Sequence, residues 1–156
     1  MTEDATFEEG GEAPLNLGAV DAEDLKVIAA LTQDAIFTGA DISWRPAQRR
    51  FALLLNRFRW EDRGRDRHGA ERVRALLVID EVLGVASQGV VPRDRDTVLS
   101  LLSIDFEAGE DGSGNLLLTL AGDGAIRLSV EALGVTLKDV TRPYRAISGQ
   151  TPKHPE

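Results

Sequence analysis

The chain has 156 residues, 42% of them hydrophobic and 28% charged, which is the size and make-up of one ordinary globular domain. It contains no cysteine, so disulfide frameworks, thiolate zinc sites, iron–sulfur clusters and cysteine nucleophiles are excluded. Its formal charge of −8 argues against general nucleic-acid binding, and no apolar run comes near the roughly 20 residues of a membrane-spanning helix.

In chain order, residues 1–14 carry five acids and no basic residue, which reads as a disordered acidic tail. Met1 to Gly10 has no basic start followed by an apolar stretch, so no secretory signal is read there and a cytoplasmic location is expected. Asp21 suits a helix N-cap, with Asp24 three residues on. Leu25, Ile28, Leu31, Ala35 and Ile36 then recur at helical spacing, and Gly39 offers a stop. The spacing predicts one amphipathic helix over residues 22–37.

The pattern then turns to strands. Ile42 to Arg45 is a short one, ended by a turn at Pro46. Phe51 to Trp60 is the next, and its phase is unusual. Phe51, Leu53 and Leu55 share one face, yet that face continues into Arg57 and Arg59. Either both faces are buried at the start, or a bulge near Asn56 swaps them. Glu61 to Ala70 reads as a charged loop. Val73 to Val90 is one bent strand or two strands broken near Gly84. Val98, Leu102, Ile104 and Phe106 alternate with Leu101, Ser103 and Asp105. The loop from Glu107 to Gly114 leads to Leu116, Leu118 and Leu120. A turn at Asp123-Gly124 then returns Ile126, Leu128 and Val130 on the same face. This is a three-stranded antiparallel meander with one wet side. Leu133, Val135 and Leu137 lean toward another strand.

One helix and a run of strands make a β-rich α+β domain over residues 15–140. The N-terminal helix covers an antiparallel sheet of about six or seven strands, and a pleckstrin-homology-like roll is one candidate topology. Residues 141–156, with three of the six prolines, read as an extended C-terminal tail on which Tyr144 or Ile147 can dock.

Several stretches, taken in order, carry a resemblance. They are residues 14–37 (PLNLGAVDAEDLKVIAALTQDAIF), 51–61 (FALLLNRFRWE), 72–76 (RVRAL), 98–106 (VLSLLSIDF) and 125–131 (AIRLSVE). Their most specific pieces are Asp21 to Leu25, Gln33-Asp34-Ala35 and Asn56 to Glu61. Together they resemble a proteobacterial family known only as domain of unknown function 2948. The resemblance implies a single-domain bacterial cytoplasmic protein. It brings no activity, ligand or catalytic residue with it.

Candidate chemistry is sparse. The two histidines are His68, in the charged loop, and His154, near the end, and no Gly-x-Ser-x-Gly is present. The acids Glu107, Glu110 and Asp111 with Asn115 fit a hairpin loop better than a calcium site, because the alternating Asp pattern is missing. Gly122-Asp123-Gly124 precedes a strand, so it fails as a dinucleotide cradle. Asp34 and Asp41 read as capping or turn residues. No catalytic residue, metal ligand or cofactor is therefore assigned.

Charge offers more. Ten of the fifteen arginines fall between Arg45 and Arg74 against four acids, so that window carries +6 and the rest of the chain −14. Arg57, Arg59, Trp60 and Glu61, with the loop arginines Arg63, Arg65 and Arg67, are the candidate binding residues, since arginine and tryptophan dominate binding hot spots. The competing reading buries Phe58 and Trp60 and pairs Arg57 and Arg59 with acids on a neighbouring strand. The expectation is a non-enzymatic binding or protein-interaction module for a protein or a small anionic ligand. The alternatives are an enzyme using carboxylates and arginines on a small anionic substrate, and a homodimer or larger homo-oligomer joined through strand edges.

Overall fold

The computed structural model describes residues 14–59, 71–90 and 94–141, and the backbone of residues 144–145. The acidic tail and most of the C-terminal tail lie outside these residues. So does the whole of the expected loop from Glu61 to Ala70. Among the described residues the fold is β-rich with a single α-helix, as expected. The sheet is larger than the six or seven strands read from the sequence: eleven strand segments are present, the last of only two residues.

Strand β1 (Asn16–Ala19) leads into helix α1 (Ala22–Leu31). The Asp21 carboxylate accepts the Asp24 N–H at 2.9 Å, which is the expected cap. The helix buries Leu25 and Ile28 and stops at Thr32, not at Phe37. Two features end it early. The Thr32 hydroxyl donates to the Ile28 carbonyl, and Asp34 takes a left-handed conformation (φ 65°). Asp34 N–H then bonds Leu101 O, and Leu101 N–H bonds Ala35 O, so the sheet captures the chain where helical spacing would have continued.

Strand β2 (Ile36–Thr38) follows, then a 3-10 turn (Gly39–Asp41), β3 (Ile42–Arg45) and a second 3-10 turn (Pro46–Gln48). Strands β4 (Arg50–Phe58) and β5 (Glu71–Ile79) pair along their whole length. The break expected near Gly84 lies at Asp80–Glu81, where Glu81 takes φ 61°. Gly84 instead marks a register shift within β6 (Val82–Gln88) against β9 (Ala125–Val130). Strand β7 (Val98–Ala108) pairs with β2 at its start and with β8 (Gly114–Leu120) afterwards. A bulge between Leu101 and Ser103 resets its phase. Leu101 and Ile104 point inward, while Val98 and Leu102, expected on the same face as Ile104, are exposed. Strands β8 and β9 form the expected hairpin, with Leu120 N–H bonded to Gly124 O across the turn. Strand β10 (Val135–Asp139) joins β1 to β5, and β11 (Tyr144–Arg145) continues beside β5.

The strand order is β1-β10-β5-β4-β2-β7-β8-β9-β6, with β3 beside β4 and β11 beside β5. Every pairing is antiparallel. The core lies between the inner faces, where Phe51, Leu53, Leu55, Leu77, Ile79, Val135 and Leu137 meet Leu116, Leu118, Leu120, Ile126, Leu128 and Val130. Helix α1 packs on β1 and β7, and adds Leu25 and Ile28 to that core.

Gly39 shows how tightly one corner is closed. A Cβ there would sit 2.6 Å from the Asp94 carbonyl oxygen and 3.2 Å from Arg95 Cα, both backbone atoms that cannot swing away. Gly134 has nothing within 4 Å of that position. Gly39→Ala is expected to lose about 1–3 kcal/mol of stability by overpacking. Gly134→Ala should stay within about 0.5 kcal/mol of the parent. Urea unfolding of the two variants checks the contrast.

Candidate functional site

The candidate binding strand is β4, and its inward phase runs without interruption. Phe51, Leu53, Leu55 and Arg57 are all buried on one face, and no bulge intervenes near Asn56. Arg57 therefore points into the protein, where it is fully buried. Its Nε and Nη2 donate to Asp139 Oδ1 and Oδ2 at 3.1 and 3.0 Å, and its Nη1 donates to Phe58 O at 3.0 Å. Asp139 is the last inward residue of β10, two strands away across β5. Its Oδ2 also accepts the Leu15 N–H at 3.0 Å. This buried, two-pronged pair has the geometry that makes an arginine–carboxylate contact strong.

Arg59 is nearly as buried. Its Nη1 donates to Glu71 Oε1 at 2.8 Å, and its N–H to Glu71 O at 3.0 Å. Phe58 faces the other way, half-buried, under the guanidinium of Arg72 at 4.2 Å from the ring centre. Arg72 also donates to Asn56 Oδ1 and O. Arg57 thus meets its carboxylate in the interior, and Arg59 meets that of the partly exposed Glu71. Trp60, Glu61, Arg63, Arg65 and Arg67 lie outside the described residues.

The outer face of the same strands carries a concave feature that sequence reasoning missed. A groove of about 150 Å³ is lined by Ile36, Phe37 and Thr38 of β2, Asp41, Leu54 and Asn56 of β4, Arg74 of β5 and Val98 of β7. It forms where β4 changes neighbour. On one side β4 pairs with β2 only at Asn56, and with β3 from Leu53 back to Arg50. Leu54 and Leu55 fall between these two pairings, so the sheet has a gap there. The register Arg74↔Asn56↔Ile36 sets three side chains in a row across that gap.

The groove holds two opposite charges. Asp41 Oδ2 accepts from Thr38 N–H at 2.8 Å and from the Thr38 hydroxyl at 3.1 Å, which fulfils the capping role read for Asp41. Among the described residues Arg74 makes no side-chain hydrogen bond or ion pair, and Asp41 makes none beyond Thr38. No group of three or more potential metal ligands gathers among the described residues. The signal that could have pointed to Arg74 was the outward alternation of Arg72, Arg74, Leu76 and Val78. The gap itself could not be read, because it depends on which strands flank β4.

A family profile described as "protein of unknown function (DUF2948)" matches residues 15–154. The chain belongs to this family. The match spans the whole described fold, including both the Arg57–Asp139 pair and the groove of this DUF2948 protein. No curated protein and no solved structure matches the chain.

Removing one partner of a buried ion pair strands the other charge. Arg57→Met and Asp139→Leu are each expected to cost about 3–5 kcal/mol. The double variant should lose clearly less than the sum, because neither charge is then left alone. Arg45→Met, at an exposed position, should change stability by less than about 0.5 kcal/mol. A double-mutant cycle in urea measures all four.

Proposed function

We propose that this DUF2948 protein is a non-enzymatic binding module for a small anionic ligand held in the groove on the outer face of β2, β4, β5 and β7. The observation that carries this reading is the Arg74 guanidinium. It is half-buried beside Ile36, Leu54 and Val98 and has no partner among the described residues. A partly desolvated cation next to apolar walls interacts with an anion more strongly than a fully solvated one does. The chain as a whole is acidic, so this local cation is a selective feature and not part of a general basic field. The groove is smaller than the roughly 300–1,000 Å³ of pockets for drug-sized ligands, which favours a compact ligand. The enzyme reading has less support: Asp41 is the one carboxylate among the described lining residues, so no second acid or base stands beside it.

A homo-oligomer is the second reading, favoured by β6. This strand ends the sheet order and has the sequence Val-Leu-Gly-Val-Ala-Ser-Gln, with neither charge nor proline to discourage pairing and with Leu83 exposed. Sedimentation at rising concentration separates the two readings: a concentration-dependent dimer that Leu83→Lys abolishes would favour the second.

The binding reading is tested by titrating isotope-labelled protein with isovalerate and with inorganic phosphate at millimolar concentrations. Saturable amide shifts are expected at Ile36 to Thr38, Asn56, Arg74 and Val98 for at least one of these anions, with the added molecule recovered unchanged. Shifts confined to other parts of the sheet, or none, would overturn it.

A further inference from the structure

The groove offers more than a cation. Arg74 and Asp41 line the same small space, yet no oxygen of Asp41 comes within 4 Å of the Arg74 guanidinium to make an ion pair. The Thr38 contacts engage Oδ2, so Oδ1 remains available. The apolar side chains of Ile36, Leu54 and Val98 line the same space. Building on the reading of this groove as an anion site, we propose that its ligand is a zwitterion: a free α-amino acid with an apolar side chain.

Three physical arguments support this class over a simple anion. A monocarboxylate would satisfy Arg74 but leave the Asp41 carboxylate close to a second negative charge, and phosphate would add to that repulsion. Juxtaposed like charges discriminate against such ligands. An amino acid instead places its carboxylate on Arg74 and its ammonium on Asp41, so both charges of the groove gain a charge-assisted hydrogen bond. The volume also fits. About 150 Å³ is the size of a cavity that takes one benzene molecule, or roughly the liquid volume of five waters. One branched or aromatic side chain fills that much space and covers the exposed parts of Ile36 and Val98. A larger peptide would lie mostly outside the groove.

The test is isothermal titration of the full chain with four probes: L-leucine, isovalerate (no ammonium), isoamylamine (no carboxylate) and inorganic phosphate. Leucine is expected to bind at least about tenfold more tightly than either truncated probe, the ratio for one charge-assisted hydrogen bond. Arg74→Gln should weaken leucine and isovalerate by about tenfold or more and leave isoamylamine at least as tight, because a like charge is removed. Asp41→Asn should weaken leucine and isoamylamine and strengthen isovalerate, because the repelling carboxylate is gone. Isovalerate binding as tightly as leucine, or phosphate binding more tightly, would overturn the zwitterion while the anion site stood. Binding of none of the four would overturn both. The comparison among probes on the unaltered chain decides the question even if a variant fails to fold.

Discussion

One buried ion pair ties the ends of two strands of the central sheet together. Arg57 and Asp139 occupy the last inward positions of β4 and β10, where the apolar phases of both strands would otherwise continue. A slip of β4 by one residue would turn Arg57 outward and leave Asp139 buried without its partner. The same slip would expose Phe51, Leu53 and Leu55. Leucines at both positions would bury area without penalising such a slip at this end of the sheet. The pair is fully engaged: two bonds join the side chains, Phe58 O takes a third, and Leu15 N–H closes Asp139. Asp139 N–H donates back to Leu15 O, so the contact also fixes where the chain enters β1. Three segments from opposite ends of the sequence are thereby held in one arrangement.

Local signals were legible in the sequence, and long-range partners were not. The Asp21 cap, the Pro46 turn and the β8–β9 hairpin need only a few consecutive residues, and the structure contains all three. The inward phase of Leu116 to Leu120 and of Ile126 to Val130 was equally plain. The end of α1 was misjudged because Leu25 to Ile36 keeps helical spacing, while the deciding bonds come from Leu101 on a distant strand. The break before β6 falls away from Gly84, the residue type that favours one, because Glu81 takes the left-handed turn. The phase of β7 was lost at a bulge that no residue type announces. Arg57 was visible as an anomaly in an apolar phase. The sequence admits a bulge or a pairing with an acid on a neighbouring strand, but the partner, Asp139, lies 82 residues later and two strands away.

The arginine excess between residues 45 and 74 similarly separates into distinct tasks. Arg57 and Arg59 are buried against Asp139 and Glu71, and Arg72 covers Phe58 and holds Asn56. Arg49 and Arg50 make exposed pairs with Glu131 and Asp80, a class of contact worth at most about 1 kcal/mol. Arg45 is simply exposed. Acids from outside the window neutralise much of the +6, so it is not a basic field. Arg74 differs from all of these, being half-buried, concave in setting and without a partner among the described residues.

The groove and the buried pair are linked through β4. Asn56 is adjacent to Arg57 in the chain and faces the opposite side, so the ion pair that fixes Arg57 inward also fixes Asn56 outward opposite Arg74. The gap beside Leu54 exists because β2 and β3 serve β4 in succession and the 3-10 turn at Gly39–Asp41 bridges them. That turn carries Asp41, and its Gly39 lies close against the backbone of Asp94 and Arg95. The two charged residues of the groove therefore have their backbones on a paired strand and on a closely packed turn. Both are thus set by backbone pairings that the fold makes without any ligand.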